Sequence, residues 1–169
     1  MIKFPADLVA LAERVIAENT ALGRTVALAE SCTGGLVCAA LTEVAGSSAV
    51  LDRGFVTYSN ESKQQLLGVQ EDILDAFGAV SPATAWAMAQ GALRRSDADI
   101  AVAISGIAGP DGGTELKPVG TVVFARAVRG EEDDVHAEQM LIPGKSRGEI
   151  RHQAALVALE LLLPGSQVP

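Results

Sequence analysis

The sequence predicts an α/β domain of three layers, with a central mixed β-sheet packed between helices. Three observations carry that expectation. The apolar runs at 25–29 and 100–104 have the length and composition of strands buried on both faces. Stretches of helical periodicity separate the strand-like segments. Aromatic residues make up only 4% of the chain, while Ala, Val, Leu and Gly abound, which suits close helix-on-sheet packing better than a β-sandwich. With 169 residues, 49% of them apolar, one continuous core is expected, hence a single domain over 1–169 with its core at about 8–162.

Each element has its own signal. Pro5 suits a first helical residue, and Leu8, Leu11, Ala12, Val15 and Ile16 recur on one helical face until Gly23. The first strand, 25–29, runs at once into a tight turn at 30–35 and an apolar helix from Leu36 to Val44. Residues 49–58 read as a second strand, with a bend or bulge at Asp52-Arg53-Gly54, and Asn60 as cap of a short helix carrying Lys63, Leu66 and Leu67. Ser81-Pro82 opens an Ala-rich helix to Arg95. After the strand at 100–104 comes a Gly/Pro loop, 105–114, longer than most connections, for which a binding loop and a plain turn-rich connector both stay open. Residues 119–128 and 135–142 then form a hairpin, and Ile150, Ala154, Val157 and Leu161 stripe a closing helix that ends before Pro164.

Composition bounds the function. The net charge of -8 and the acidic run 131–134, without a basic stripe, repel a phosphate backbone, so no nucleic-acid partner is expected. No segment offers roughly 20 uninterrupted apolar residues and no secretory leader opens the chain, so a cytoplasmic protein without a membrane partner is expected. Cys32 and Cys38 have no accompanying Cys or His cluster, which argues against a zinc site or a disulfide framework. A homo-oligomer is expected from an exposed sheet edge or apolar helix face.

The chemistry concentrates at strand ends. Ser31 lies where a buried strand hands over to a helix, and free amides there, with close access at Gly34 and Gly35, could hold an oxyanion. The plain alternative is that Ser31 or Thr33 only caps the helix. Tyr58 and Lys63 follow the next strand, and in a parallel arrangement emerge on the same edge of the sheet. A lysine deprived of solvent can be neutral enough to activate a serine, although surface roles for both side chains stay open. Ser105, Gly106, Gly109 and Thr114 belong to the Gly/Pro loop at a strand's carboxyl end, a usual ligand position, and Lys117, Lys145, Arg147 and Arg151 are the cations placed to reach an anion. His136 and His152 have no Ser or Asp neighbour suited to a triad.

Taken together, Ala29-Glu30-Ser31-Cys32-Thr33-Gly34-Gly35, Tyr58-Ser59-Asn60-Glu61-Ser62-Lys63, Gly78-Ala79-Val80-Ser81, the run 105–113 and Lys117-Pro118-Val119-Gly120-Thr121 resemble the CinA C-terminal domain family, from about Leu8 to Leu162. The resemblance implies nicotinamide-nucleotide amidase activity on a small-molecule nucleotide, with no cofactor and no metal. It implies Ser31 as nucleophile, supported by Lys63 and Tyr58, with amides near Thr33, Gly34 and Gly35 at the oxyanion; Ser105, Gly106, Gly109, Thr114 and Arg147 join them around the substrate on the reading of the loop and of the charges. Many relatives carry an additional N-terminal domain, and here the chain begins with the amidase-like part. Two rival readings are a nucleotide-binding regulatory module without turnover and a short-chain-dehydrogenase-like oxidoreductase. The latter fails on spacing, since Tyr58 and Lys63 lie five apart rather than four and no early dinucleotide-binding motif is present.

Overall fold

A computed structural model describes residues 3–168; residues 1, 2 and 169 of the expected domain lie outside that range. The elements run α1 (Ala6–Leu22), β1 (Val26–Glu30), α2 (Leu36–Thr42), β2 (Leu51–Val56), α3 (Asn60–Leu67), α4 (Glu71–Phe77), α5 (Pro82–Arg94), β3 (Ile100–Gly106), β4 (Thr121–Val128), β5 (His136–Leu141) and α6 (Arg147–Leu161). The five-stranded sheet has the order β2-β1-β3-β4-β5. β1 pairs in parallel with β2 and β3, whereas β4 is antiparallel to both β3 and β5, so the sheet is mixed as expected.

Strand alternation sorts large and small residues onto opposite faces. Val26, Leu28, Ile100, Val102, Ile104, Val122 and Phe124 meet α1, α2 and α6. Ala27, Ala29, Ala101, Ala103, Ala125 and Ala127 turn the other way, and their small side chains let α5 lie close with Met88 and Ala89 buried against them. Truncating the fully buried Phe124 to Ala would cost about 3–5 kcal/mol.

Several boundaries differ from the sequence reading. Pro5 stands one residue before α1 with extended ψ, as its N-cap. Asp52 is the extra residue of a bulge, because Val26 pairs with Leu51 and Ala27 with Arg53. Ser59, not Asn60, caps α3, its side chain accepting from the Ser62 amide. Helix α4 escaped the sequence reading because seven residues with an acidic first turn give too few periods of apolar pattern. The 105–114 loop is closed at its base by the Ile107 and Gly120 amides, which donate to Thr121 and Ile107. No described helix is long and apolar enough to cross a membrane.

Candidate active site

β1, β2 and β3 run in parallel, so their carboxyl ends open on one edge, where ligands of open α/β sheets bind. Ser31 extends β1 by one residue, its amide donating to Ile104 at 2.9 Å. The preceding Glu30 is fully buried, and its carboxylate accepts from the amides of Gly35 (3.0 Å), Val37 (3.2 Å) and Cys38 (2.9 Å). A carboxylate inside the protein thus takes the amino end of α2, where orphan N–H groups and the helix dipole favour negative charge. From the other side, Arg151 of α6 donates to the carbonyls of Cys32 at 3.0 Å and Thr33 at 2.9 Å. The turn carrying Ser31 is held by both.

These contacts revise two sequence expectations. Neither Ser31 nor Thr33 caps α2; that role belongs to Glu30, whose significance the sequence reading missed. The amides of Gly34 and Gly35 are not free for a ligand, because Gly34 donates to Ser31 O at 3.0 Å and Gly35 to Glu30. Thr33 is fully buried behind the turn. The amide of Cys32, by contrast, donates to no acceptor among the described residues.

Lys63 is 1% exposed, although its α3 neighbours Glu61 and Gln65 face solvent. Its Nζ lies 3.1 Å from Ser31 Oγ, 2.8 Å from Thr57 O and 3.5 Å from Tyr58 O. Among the described residues no carboxylate lies within ion-pair distance of it. Burial pushes its pKa below the ordinary lysine value of 10.5. A neutral amine has two hydrogens and one lone pair, which match the two carbonyls and the serine hydroxyl as donor. Helix α3 comes this close because Gly91 of α5 lets the Leu67 carbonyl sit where any Cβ would collide with it.

Tyr58 is 60% exposed, and its hydroxyl accepts from Arg147 Nη2 at 2.9 Å; among the described residues no hydrogen bond joins that hydroxyl to Ser31 or Lys63. Arg147 also donates through Nη1 to Gly109 O at 2.8 Å. Ser105, buried at the end of β3, donates to Ala79 O at 2.8 Å and fixes the segment before α5. Gly106 leaves no room for a Cβ, which would come within 2.8 Å of Val122.

Six of the predicted residues line one cleft of about 210 Å³: Ser31, Tyr58, Lys63, Ser105, Gly106 and Arg147. Cys32, Asn60, Ala79, Val80 and Ala108 complete it. Burial raises the Cys32 thiol to about 11, which leaves it protonated and a poor rival nucleophile at neutral pH. Thr33, Gly34, Gly35, Gly109 and Thr114 fall outside the lining. Gly109 acts through its carbonyl on Arg147, and exposed Thr114 closes its own turn by accepting from the Lys117 amide at 3.0 Å. Lys117 donates to Phe77 O, away from the cleft. His136 and His152 pair with Asp134 and Asp7, outside it as well.

The fold and the cleft define a three-layer α/β domain with a buried serine–lysine pair at the carboxyl edge of its parallel strands. The chain belongs to the CinA C-terminal domain family, whose sequence profile matches residues 8–164. Over 157 residues it is 50% identical to the nicotinamide-nucleotide amidohydrolase PncC of Escherichia coli K12, covering 93% of each chain. It is 48% identical over 156 residues to a CinA-like protein of Shewanella baltica, covering 92% of this chain and 36% of that one. The chain spans about a third of the length of such longer relatives. Among solved structures it is similar to the competence/damage inducible protein CihA of Agrobacterium tumefaciens, with a TM-score of 0.91, 52% identity and coverage of 96% of this chain and 97% of that one.

Proposed function

We propose that this protein is a nicotinamide-nucleotide amidohydrolase that converts nicotinamide mononucleotide to nicotinate mononucleotide and ammonia through an acyl-enzyme on Ser31. The similarity to PncC over nearly the whole of both chains supports the activity. The observation that carries the mechanism is the 3.1 Å contact between Ser31 Oγ and a buried, uncompensated Lys63 amine.

In this reading, neutral Lys63 takes the proton of Ser31 as Oγ bonds to the carboxamide carbon, and the carbonyl becomes an oxyanion. The amide of Cys32, directly after the nucleophile and without an acceptor among the described residues, is the backbone donor assigned to that oxygen. Collapse breaks the C–N bond, and Lys63 returns the proton to the leaving nitrogen, which departs as ammonia. Water then attacks the serine ester with Lys63 again as base, giving the carboxylate and free Ser31. Tyr58 supplies its carbonyl to Lys63 and its hydroxyl to Arg147, so its part is to position both. Arg147, at the mouth, is the cation for the nucleotide's phosphate. A cleft of about 210 Å³ is smaller than the ~300–1,000 Å³ usual for enclosed ligands, so it takes the pyridine carboxamide and leaves the ribose phosphate towards the rim. The exposed edge strands β2 and β5 support assembly of the chain with copies of itself.

The test is ammonia release from nicotinamide mononucleotide, its riboside and free nicotinamide, followed by mass spectrometry of the quenched enzyme. Release from the mononucleotide, an adduct on the peptide containing Ser31, and loss of both in Ser31→Ala are expected. Undiminished release by a folded Ser31→Ala protein would remove the nucleophile. Tight binding of the mononucleotide without ammonia would favour a regulatory binding module.

A further inference from the structure

At the opposite end of the sheet lies a second, larger cleft of about 510 Å³, bordered by the start of β1, the far end of β4 and the chain at 165–167. Its floor includes Arg126, a β4 residue only 7% exposed. The Nε of Arg126 donates to Leu161 O at 2.9 Å, at the carboxyl end of α6. Its two terminal nitrogens have no hydrogen-bond partner among the described residues, and the residue lines the cleft. No described carboxylate lies within ion-pair distance of Arg126 or of Arg24, which borders the same cleft without a side-chain hydrogen bond of its own.

The other charged groups of the cleft are mostly committed. Asp99 accepts from the Thr25 amide at 2.9 Å, Asp134 pairs with His136, and Arg129 donates to the carbonyls of Ala98, Leu93 and Ser96. Glu131 is exposed and attracts Arg126 only from a distance. Burial, then the like charge of Arg24, holds the Arg126 pKa below the usual arginine value. Arginine does not answer such stress by losing its proton, so two cations remain facing one polar cleft.

We propose that this far-end cleft binds the phosphate group of a small phosphate monoester, held by the terminal nitrogens of Arg126 with Arg24 as the second cation. With Nε engaged, the guanidinium offers a two-donor fork that fits two oxygens of one phosphate, and the second cation favours a dianion over a monocarboxylate. The volume exceeds that of a bare phosphate, leaving space for a polyhydroxylated body against Glu131, Asp134 and His136. The same acidic rim repels an extended polyanion. The site shares no lining residue with the Ser31 cleft and does not depend on the amidohydrolase reading.

The test is a titration of the full chain followed by amide proton–nitrogen spectra, with inorganic phosphate and ribose 5-phosphate as probes and sodium chloride matching the ionic strength. Saturable shifts clustered at 24–25, 129–136 and 165–167, tighter for ribose 5-phosphate than for inorganic phosphate, are expected. Arg24→Gln, a change at a partly exposed position, should weaken them at least about tenfold. Arg147→Ala should leave them unchanged. Shifts that fail to saturate, that match the chloride control, that survive Arg24→Gln, or that cluster around Ser31 alone would overturn the proposal. Equal or weaker binding of the ester than of inorganic phosphate would overturn the assigned ligand class.

Discussion

Lys63 and Arg126 are both cations withdrawn from solvent without a described carboxylate beside them, and they answer that stress in opposite ways. Lysine can shed its proton, so burial among carbonyls and a serine hydroxyl lowers the Lys63 pKa and suits it to the proposed role of base. Arginine keeps its charge, so burial leaves Arg126 a fixed positive fork with two donors to fill. Under the two proposals, the same physical stress would serve a base at one end of the sheet and a phosphate site at the other. Residue type decides which.

Exchanging the type breaks the comparison most directly. Lys63→Arg installs a fixed charge that cannot accept a proton, and ammonia release should fall on the order of 10²–10⁴-fold, as it should in Lys63→Met. Activity in Lys63→Arg near wild type would show that position 63 works as a charge and not as a base. Ser31→Ala removes the bond-forming atom and should lose more, about 10⁴-fold or beyond, with its thermal midpoint retained. Glu30→Ala, which leaves three helix amides without their acceptor, should cost about 2–4 kcal/mol of stability in a urea titration. An unchanged midpoint would mean water replaces the carboxylate in full.

Smaller effects sharpen the contrast. Arg147→Ala should raise KM for the mononucleotide about tenfold or more while changing kcat less, and should leave the riboside little affected. Tyr58→Phe keeps the carbonyl that Lys63 uses and should cost less than about tenfold; a loss of 10²-fold would put its hydroxyl in the proton path. The pH dependence follows from the lowered Lys63 pKa. The rate should rise with pH through that value, below the 10.5 of an ordinary lysine, as the amine becomes neutral. Between that value and 10.5 the unfolded chain binds the extra proton, so stability should rise with pH there, and Lys63→Met should abolish that slope in melts recorded across the window.

Strand composition made the fold legible: the runs 25–29 and 100–104 lie in the middle of the sheet, and the hairpin of β4 and β5 pairs as read. Short elements were less visible, since α4 and the cap at Ser59 depend on local hydrogen bonds rather than on apolar period. For the site, polar residues following strand ends marked Ser31 and Lys63, and Arg147 was one of four cations picked out by charge; all three border the cleft. What the sequence could not express was which amides are already taken. Gly34 and Gly35 look free as glycines, and only the folded position of the Glu30 carboxylate shows that the helix end is occupied. Arg126 stayed invisible for a related reason: in a run of apolar strand residues its missing partner is a property of the fold alone.

Under the proposed reaction, the placement of Glu30 has a consequence for what the site can accept. A domain that spends the positive pole of its helix on an internal anion has little left with which to coax an unreactive amide. The electrophilic pull must then arrive with the visitor, and a quaternised pyridinium carries it in its own ring. Discrimination against uncharged carboxamides would thus be written into the scaffold before any contact with sugar or phosphate is made.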